Sequence, residues 1–465
     1  MVQHHSMEKF VLPEKVKSIL TTLKKKGFEA YAVGGCVRDL LMGRPTKDWD
    51  FTTNATPEEI LLLFPDGFYN NAFGTVGIPV HANEKTTQGE VYEITTYRTE
   101  QGYSDGRHPD KVIWGTSLDE DLKRRDFTIN SIAYDGEMLF DPFNGQEDMV
   151  KQVVRAVGDA DERFSEDALR MIRAIRIAAQ MQFTIEEKTF LSIQNKAHLI
   201  GKISSERIRD ELIKILSTAY ADEGMLLLKN SGLLGEILPE LDRCFGVAQQ
   251  SPKRHHIYDV GTHLLKSLKY CPTSDPIVRL ATVLHDVGKY ETFNKTPDGV
   301  ITFYNHEIVG ASIVHHIAAR LRLSKGDREK LVRLVRWHQF SVDERQTDSA
   351  LRRFIRSVGK EYLNDILALR TGDRLGGGAR ETSWRLELYK KRLEEVQIQP
   401  FSIQDLKING YDVMKTLDSK PGPMIGKILE ALFKEVEEDK EKNSREYLLK
   451  RIPEISFLQG DTLRG

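Results

Sequence analysis

The sequence predicts an α+β fold: an N-terminal head with a mixed β-sheet and helices, followed by all-helical domains to the C-terminus. Three observations predict it. Short apolar and alternating runs, cut by glycines and turn residues, fill the first 155 residues. Beyond residue 155 the apolar spacing becomes helical and stays so almost without interruption. The length of 465 residues calls for two to four domains with cores of their own. Hydrophobic content of 40% and charged content of 29% belong to an ordinary soluble protein. A net charge of −2 excludes a generally basic nucleic-acid coat, so any nucleic-acid site is a local basic face.

Residues 13–26 carry an amphipathic pattern ending in Lys24-Lys25-Lys26-Gly27, cations and a glycine where a helix C-terminus favours them. Residues 31–53, YAVGGCVRDLLMGRPTKDWDFTT, read as an apolar strand, a Gly34-Gly35 turn, a helix start with Arg38 and Asp39, and a second strand. The second strand sets Asp48 and Asp50 two positions apart, on one face. Paired carboxylates on a rigid strand suit Mg²⁺, which takes one or two of them together with substrate phosphates. The Gly-Gly turn beside a helix N-terminus lets backbone N–H groups approach an anion. Metal carboxylates next to a phosphate cradle point to nucleotidyl or phosphoryl transfer.

Thr56-Pro57-Glu58-Glu59 starts a helix with proline in its first turn and a capping box. Residues 76–82 and 90–97 read as strands, the second with Val91, Glu93, Thr95 and Tyr97 on one face. Glu93 either joins Asp48 and Asp50 as a third catalytic acid or faces solvent; the pattern leaves both open. Residues 98–114, RTEQGYSDGRHPDKVIW, lack periodicity, and a long loop beside such a site points to a mobile, substrate-sensing role. In DLKRRDFTINSIAY, residues 121–134, Arg124 and Arg125 suit a triphosphate, and Asp126 or Asn130 a ribose hydroxyl. The alternative there is a solvated surface cluster. Residues 140–145, FDPFNG, turn the chain toward the end of the first domain near residue 155.

Residues 165–181, SEDALRMIRAIRIAAQM, place Arg170, Arg173 and Arg176 on one side of a predicted helix. Glu166 and Asp167 precede Arg170 at ion-pair spacing, so salt bridging along the helix is one reading. In the other, Asp167 accepts and Arg170 donates side by side. That pair complements the amino group and ring nitrogen of cytosine and adenine, whereas guanine and uracil present the reverse. Helices over 203–217 and 224–246 complete the segment.

Eight of the thirteen histidines fall between His255 and His338. His285-Asp286, with His263 upstream, His306 and His338 downstream and Asp373 beyond, is a ligand set for a divalent-metal phosphohydrolase. Imidazole with carboxylate suits Mn²⁺, Co²⁺ or Ni²⁺. The alternative is a helical domain whose metal site no longer works. Residues 376–380, GGGAR, predict a linker. Helices over 381–398 and 423–440 follow. The absence of an 18-residue apolar run or signal-like segment predicts no membrane span. Three scattered cysteines, Cys36, Cys244 and Cys271, predict a reducing, cytoplasmic setting.

The stretches VGGCVRDLLMGRPTKDWDFTT, RRDFTINSIAYD, DPFNGQEDM, EDALRMIRAIR and ERIRDELIKIL together resemble the class II tRNA nucleotidyltransferases. These are the bacterial CCA-adding enzymes and poly(A) polymerases. HLLKSLKY through HDVGKYETF resembles the HD domain inserted in some members, and residues 401–450 the family's tail. The resemblance implies a nucleotidyltransferase head over 1–155, a helical neck over 156–245, an HD domain over 246–375 and a tRNA-binding tail over 376–465. It implies Mg²⁺ ions on Asp48 and Asp50, and triphosphate contacts from Gly34, Gly35, Arg38 and Arg125. Asp167 and Arg170 would read the base with Arg173 and Arg176 in support, and Arg98, Asp105 and Arg107 would lie in a flexible loop that switches from CTP to ATP. The HD domain implies a second activity, phosphatase or 2′,3′-cyclic phosphodiesterase, on His263, His285, Asp286 and Asp373. The expected function is template-independent, two-metal addition of CMP and AMP to the acceptor stem and 3′ end of tRNA. Addition of A alone, poly(A) synthesis, or metal phosphohydrolysis as the main activity are the alternatives.

Overall fold

The computed structural model describes residues 10–46, 48–71, 74–80, 90–101, 111–114, 117–249, 258–343, 345–378, 384–397 and 403–461. The chain divides into two compact units. One comprises Met1–Phe245, Ser274–Pro276 and Ile317–Leu323; the other Gly246–Thr273, Ile277–His316 and Ser324–Gly465.

The first unit opens with strands β1 (Ala30–Val33), β2 (Asp50–Thr53), β3 (Phe68–Asn71), β4 (Thr75–Val80), β5 (Glu90–Thr96), β6 (Arg98–Gln101), β7 (Lys111–Trp114), β8 (Ala133–Tyr134) and β9 (Leu139–Phe140). Seven form one sheet in the order β3-β4-β5-β2-β1-β8-β9. All its neighbours are antiparallel except β2 and β5, which run parallel, so the sheet is mixed as expected. Register sets Val33 opposite Asp50, and Asp50 opposite Glu93. The helix Glu14–Lys25 buries Val16, Ile19, Leu20 and Leu23, a stripe at helical spacing, in a core shared with Phe51, Val76 and Ile94. The capping box forms at Thr56 and Glu59.

Two expectations change here. The ends of the 98–114 segment are an antiparallel ribbon, β6 with β7, since Thr99, Val112 and Ile113 fall on paired, strand-favouring positions. Asp105 and Arg107 lie outside the described residues. The helix expected over 165–181 is two, Ala160–Glu166 and Leu169–Met181, because Asp167 is extended (φ −142°, ψ 103°). Its carboxylate accepts the Leu169 N–H at 3.0 Å, so an acid that would be ordinary inside a helix caps the next one instead. The Leu169–Met181 helix packs on Ser205–Ser217, and Ile172, Ile175, Leu212 and Ile215 on these helices are all buried.

Among its described residues the second unit is helical apart from a small ribbon of Asn294–Lys295 with Ile301–Thr302. Its helix Leu363–Gly376 lies against Val260–Lys269 at the closest approach two backbones allow. A Cβ on Gly372 would sit 2.5 Å from the Ser267 carbonyl oxygen, and one on Gly376 2.5 Å from the Ser267 nitrogen. Gly376 is therefore a packing residue at a helix end rather than part of a linker, and the close approach brings Asp373 to His263. The helices Gly410–Leu417, Pro423–Glu438 and Arg445–Asp461 enclose a separate core around Val413, Leu432, Val436, Leu448 and Ile452. Among the described residues, no helix is long and apolar enough to cross a membrane.

Candidate active site and metal centre

The head site begins at the turn after β1. Gly34 has φ +83°, a conformation that disfavours a side chain. The space a Cβ would occupy is 3.2 Å from Arg125 Nη1 and 3.7 Å from Asp50 Oδ2. The turn, the arginine and the strand acid thus meet at one point. Asp50 opens β2, and Asp48 lies one pleat before the strand begins, where it is exposed. Parallel pairing of β2 with β5 puts Glu93 beside Asp50 on one face, the placement that the first of its two readings requires.

Asp50 keeps an accessible edge, yet protein crowds its carboxyl. Burial pushes it up, Arg125 opposes, and Glu93 and Asp48 push it further, to about 6. Arg125 and Arg173 both act on this carboxyl, yet burial and the two neighbouring acids outweigh them. A divalent cation fits that balance.

Behind this face lies a frame of buried ion pairs. Asp121, fully buried, accepts from Arg124 at 2.6 and 2.9 Å, from the Thr52 hydroxyl on β2 at 3.1 Å and from Arg125 at 3.4 Å. It ties the arginine above Gly34 to the strand that carries Asp50. Sequence reasoning missed it, although an acid three and four residues before Arg124 and Arg125 was a readable signal. Arg38 donates to Asn130 at 2.7 Å and to Asp39 at 2.9 and 3.0 Å. Asn130 donates to Asp126 at 3.2 Å, and Asp126 accepts from Arg173 at 2.6 and 2.9 Å. Burial works against the Asp126 anion, but Arg173 and Asn130 hold it down at about 2. Both Asp126 and Asn130 face protein partners here, so their geometry is that of residues holding Arg38 and the Leu169–Met181 helix in place.

The base-reading candidates are held apart. Asp167 accepts from Arg207 at 2.7 and 3.3 Å, whereas Arg170 donates to Glu166 at 2.7 Å and to the carbonyls of Arg163 and Arg124 at 3.2 and 3.0 Å. Of the two acids at ion-pair spacing to Arg170, Glu166 makes the bridge along the chain, whereas the helix break at Asp167 turns its carboxylate to Arg207. Each group is instead fixed by its own partner. Arg176 pairs with the buried Glu211 at 2.8 Å. Arg98 lies at the start of β6, opposite Trp114.

A second constellation lies in the helical unit. His263 Nε2 is 3.4 Å from His285 Nε2, 3.2 Å from Asp373 Oδ1 and 3.7 Å from Asp286 Oδ2. His285 Nε2 is 3.4 Å from the same Asp286 oxygen. The other oxygen of Asp286, Oδ1, faces His306 Nε2 at 3.2 Å and His338 Nε2 at 3.4 Å. Two groups of buried donors, His263-His285-Asp286 and Asp286-His306-His338, therefore share one carboxylate, with all donor atoms within 4.8 Å in each. His306 and His338 stood among the flanking histidines of the sequence; only the packing of their helices reveals which side of Asp286 they approach. Glycine makes that packing possible, since a Cβ on Gly288 would lie 2.2 Å from the His306 carbonyl oxygen.

Three of the rings are oriented by one device. Nδ1 of His285, His306 and His338 lies 2.7, 2.8 and 2.7 Å from the carbonyl oxygen three residues earlier. A carbonyl only accepts, so each Nδ1 bears a proton and each ring turns its Nε2, the atom a metal would take, toward Asp286. This is how metal-ligating imidazoles are held. Burial would lower His285, but Asp286 and Asp373 hold it near 10; the pocket calls for positive charge that a dication supplies. The donor set thus fits divalent metal.

Family models match along the chain: the Poly A polymerase head domain over residues 30–155, a probable RNA- and SrmB-binding site of polymerase A over 182–245, the HD domain over 255–369, and tRNA nucleotidyltransferase domain 2 over 314–452. The CCA-adding enzyme of Lactobacillus helveticus is 50% identical over 204 residues, 43% of this chain. That match takes in 49% of the relative, so the chain spans about half its length. The CCA-adding enzyme of Bacillus cytotoxicus is 30% identical across 96% of this chain and 99% of its own. Among solved structures, the Bacillus stearothermophilus CCA-adding enzyme in complex with CTP matches at a TM-score of 0.67 and 27% identity, covering 97% of this chain and 98% of that one. The Thermotoga maritima CCA-adding enzyme complexed with tRNA shares the fold at a TM-score of 0.59 and 18% identity, covering 97% and 99%. Matched from end to end by one relative, and in its head by the polymerase domain that contains the Asp50–Glu93 face, the chain belongs to the class II tRNA nucleotidyltransferase family, the CCA-adding enzymes and poly(A) polymerases.

Proposed function

We propose that the chain is a template-independent CCA-adding enzyme that transfers CMP and AMP from CTP and ATP to the 3′ end of tRNA. The observation that carries this reading is the meeting of Asp50, Glu93, Arg125 and the Gly34 turn at one point of the sheet. Asp48 and Asp50 would hold Mg²⁺, which supplies charge neutralisation and a more acidic attacking hydroxyl. The Gly34 turn and Arg125, whose Nε is buried without a hydrogen-bond partner, offer donors to the triphosphate. Asp167 and Arg170, each immobilised by its own ion pair, would present an acceptor and a donor to the base. The helices after residue 155 would grip the acceptor stem by shape and backbone, as duplex RNA requires. Three buried thiols, Cys36, Cys244 and Cys271, suit the reducing cytoplasm in which tRNA matures.

The deciding experiment supplies tRNA transcripts ending before CCA, after C and after CC, each with CTP, ATP, GTP or UTP. C is expected on the first two and A on the third, with neither GTP nor UTP used. Extension of the CC-ended transcript alone, by ATP alone, identifies an A-adding enzyme and overturns the reading.

Asp121 provides a second check. Asp121→Asn keeps its shape but weakens the hold on Arg125. It is expected to raise the KM for CTP and ATP about tenfold, roughly one lost charge-assisted hydrogen bond, with kcat changed less. Steady-state kinetics on one transcript measures it, and an unchanged circular dichroism spectrum confirms the fold.

A specific observation favours a second activity beside the first. The two donor groups sharing Asp286 suit a two-ion centre of Mn²⁺, Co²⁺ or Ni²⁺ that hydrolyses phosphoesters.

A further inference from the structure

We propose that Thr302 and Tyr304 make the HD centre selective for phosphates carried by a nucleoside. The Tyr304 ring stacks the base, and the Thr302 hydroxyl bonds an oxygen of the sugar. The inference rests on the reading of that centre as hydrolytic and adds the residues that choose its substrate.

One cavity of about 380 Å³ is lined by the metal donors His285, Asp286, His306 and Asp373 and also by Thr302 and Tyr304. That size falls in the range of roughly 300–1,000 Å³ that small organic ligands fill, and a bare phosphate would leave most of it empty. Two features of its lining point to what the rest of the ligand is. Thr302 is buried, and its hydroxyl has no hydrogen-bond partner. A buried hydroxyl left so is costly, and a ligand oxygen in the cavity would answer it. Tyr304, by contrast, is 77% exposed although it lines the same cavity. A single exposed aromatic is ordinary on a protein surface. This one stands two residues from the unanswered hydroxyl and two from the metal donor His306, where it meets whatever those donors hold.

The segment that carries both residues is tied to the metal donors. Thr302 ends the small ribbon, paired with Asn294. The next carbonyl, that of Phe303, accepts from His306 Nδ1 at 2.8 Å. The Phe303 ring meets Phe293 edge-on, with centroids 5.9 Å apart, and lies 5.3 Å from the Lys289 ammonium, which itself reaches Asp286 at 2.6 Å. Asn305 then turns the chain at φ +62°, a left-handed conformation that asparagine tolerates. Its carbonyl accepts the Ile308 and Val309 N–H groups at 3.0 and 3.1 Å as the helix His306–Arg320 begins. The backbone of Tyr304 is thus fixed between neighbours that also orient His306. A base stacked on a ring so placed needs little further ordering, and stacking accepts any base because each has a π-face. A polyol phosphate offers an oxygen to Thr302 and nothing to Tyr304, whereas a nucleotide offers both.

The test compares the whole protein with its Tyr304→Ala, Tyr304→Trp and Thr302→Val variants, all loaded with Mn²⁺. The probes are adenosine 3′-monophosphate, adenosine 5′-monophosphate and glycerol 2-phosphate, which has no base. In Tyr304→Ala the KM of at least one nucleotide should rise about tenfold, the loss of one stacked base, with kcat unchanged. The kcat/KM for glycerol 2-phosphate should stay the same, which a distorted centre would not allow. Tyr304→Trp keeps a ring and should keep the native KM. Thr302→Val should raise the KM of the same nucleotide about fivefold, as one hydrogen bond is lost. Calorimetric titration of adenosine into the metal-free proteins gives a readout independent of turnover, with about tenfold weaker binding expected in Tyr304→Ala. The head residues are the same in both proteins, so the difference belongs to this site. If no phosphate is hydrolysed but the adenosine difference persists, the hydrolytic reading fails and the nucleoside site stands. Equal nucleotide KM and equal adenosine affinity in the native protein and Tyr304→Ala would overturn the proposal, as would an equal loss for glycerol 2-phosphate.

Discussion

Asp50→Asn is expected to lower nucleotide incorporation into tRNA by at least about a thousandfold, since metal-assisted charge stabilisation is the largest single contribution such a site makes. The substitution keeps the side chain's size and removes only its charge, at the first residue of β2, where the side chain keeps an accessible edge. The fold has no reason to suffer. The folded Asp50 carboxyl keeps its proton up to about 6, whereas an unfolded aspartate has lost it by about 4. The folded state therefore binds more protons in that window, and this group's contribution to stability falls as pH rises through it. At neutral pH the metal-free variant should melt at the same temperature as the native protein or higher. Added Mg²⁺ should raise the melting temperature of the native protein and have far less effect on the variant. Affinity for tRNA should stay within about twofold, because shape and backbone contacts carry it. Full incorporation by the variant would remove Asp50 from the chemistry.

The parts of the two sites that lie close together in the sequence were legible there. Gly34-Gly35, Asp48 and Asp50 fall within seventeen residues, and local rules of turn and pleat connect them. Glu93 was left open because its place depends on the parallel register between β2 and β5, strands forty residues apart. Asp167 defeated the local reading for the same reason. Its spacing to Arg170 is that of a helical ion pair, but Arg207, on another helix, competes for the carboxylate and the helix breaks there. At the HD centre the sequence named His285-Asp286 and their neighbours as metal donors. It did not show that Asp286 has a pair of histidines at each oxygen, because the close passes at Gly288 and Gly372 that bring those helices together leave no periodic trace. The glycines at 376–378 read as a linker for a related reason: a residue chosen for lack of bulk looks the same in a tight contact as in a loose connection.

That shared carboxylate sets the sharpest expectation for the helical unit. Asp286 is the residue common to both donor groups, so Asp286→Asn should strip the protein of both ions, while the His306→Ala/His338→Ala variant should lose one and retain the other. Asparagine is the better substitution than alanine. Lys289 is buried, with its Nζ 2.6 Å from Asp286 and 3.0 Å from the Gln249 side-chain oxygen, and an amide oxygen at position 286 still accepts from it. Alanine would strand that ammonium, at a cost of about 3–5 kcal/mol for a broken buried pair, and confuse metal loss with unfolding. Metal analysis after loading with Mn²⁺ should find about two ions per native chain, about one in the double histidine variant and almost none in Asp286→Asn. Phosphoester hydrolysis should fall by at least about a thousandfold in Asp286→Asn. Nucleotide addition to tRNA should stay within about twofold, since the acids of the head site belong to a different unit with donors of its own. A native chain that binds one ion, unaffected by loss of His306 and His338, would mean that these two rings balance the charge of Asp286 rather than hold metal. A loss of nucleotide addition in step with the ions would mean that the two chemistries share a metal requirement, which the separate donor sets give no reason to expect.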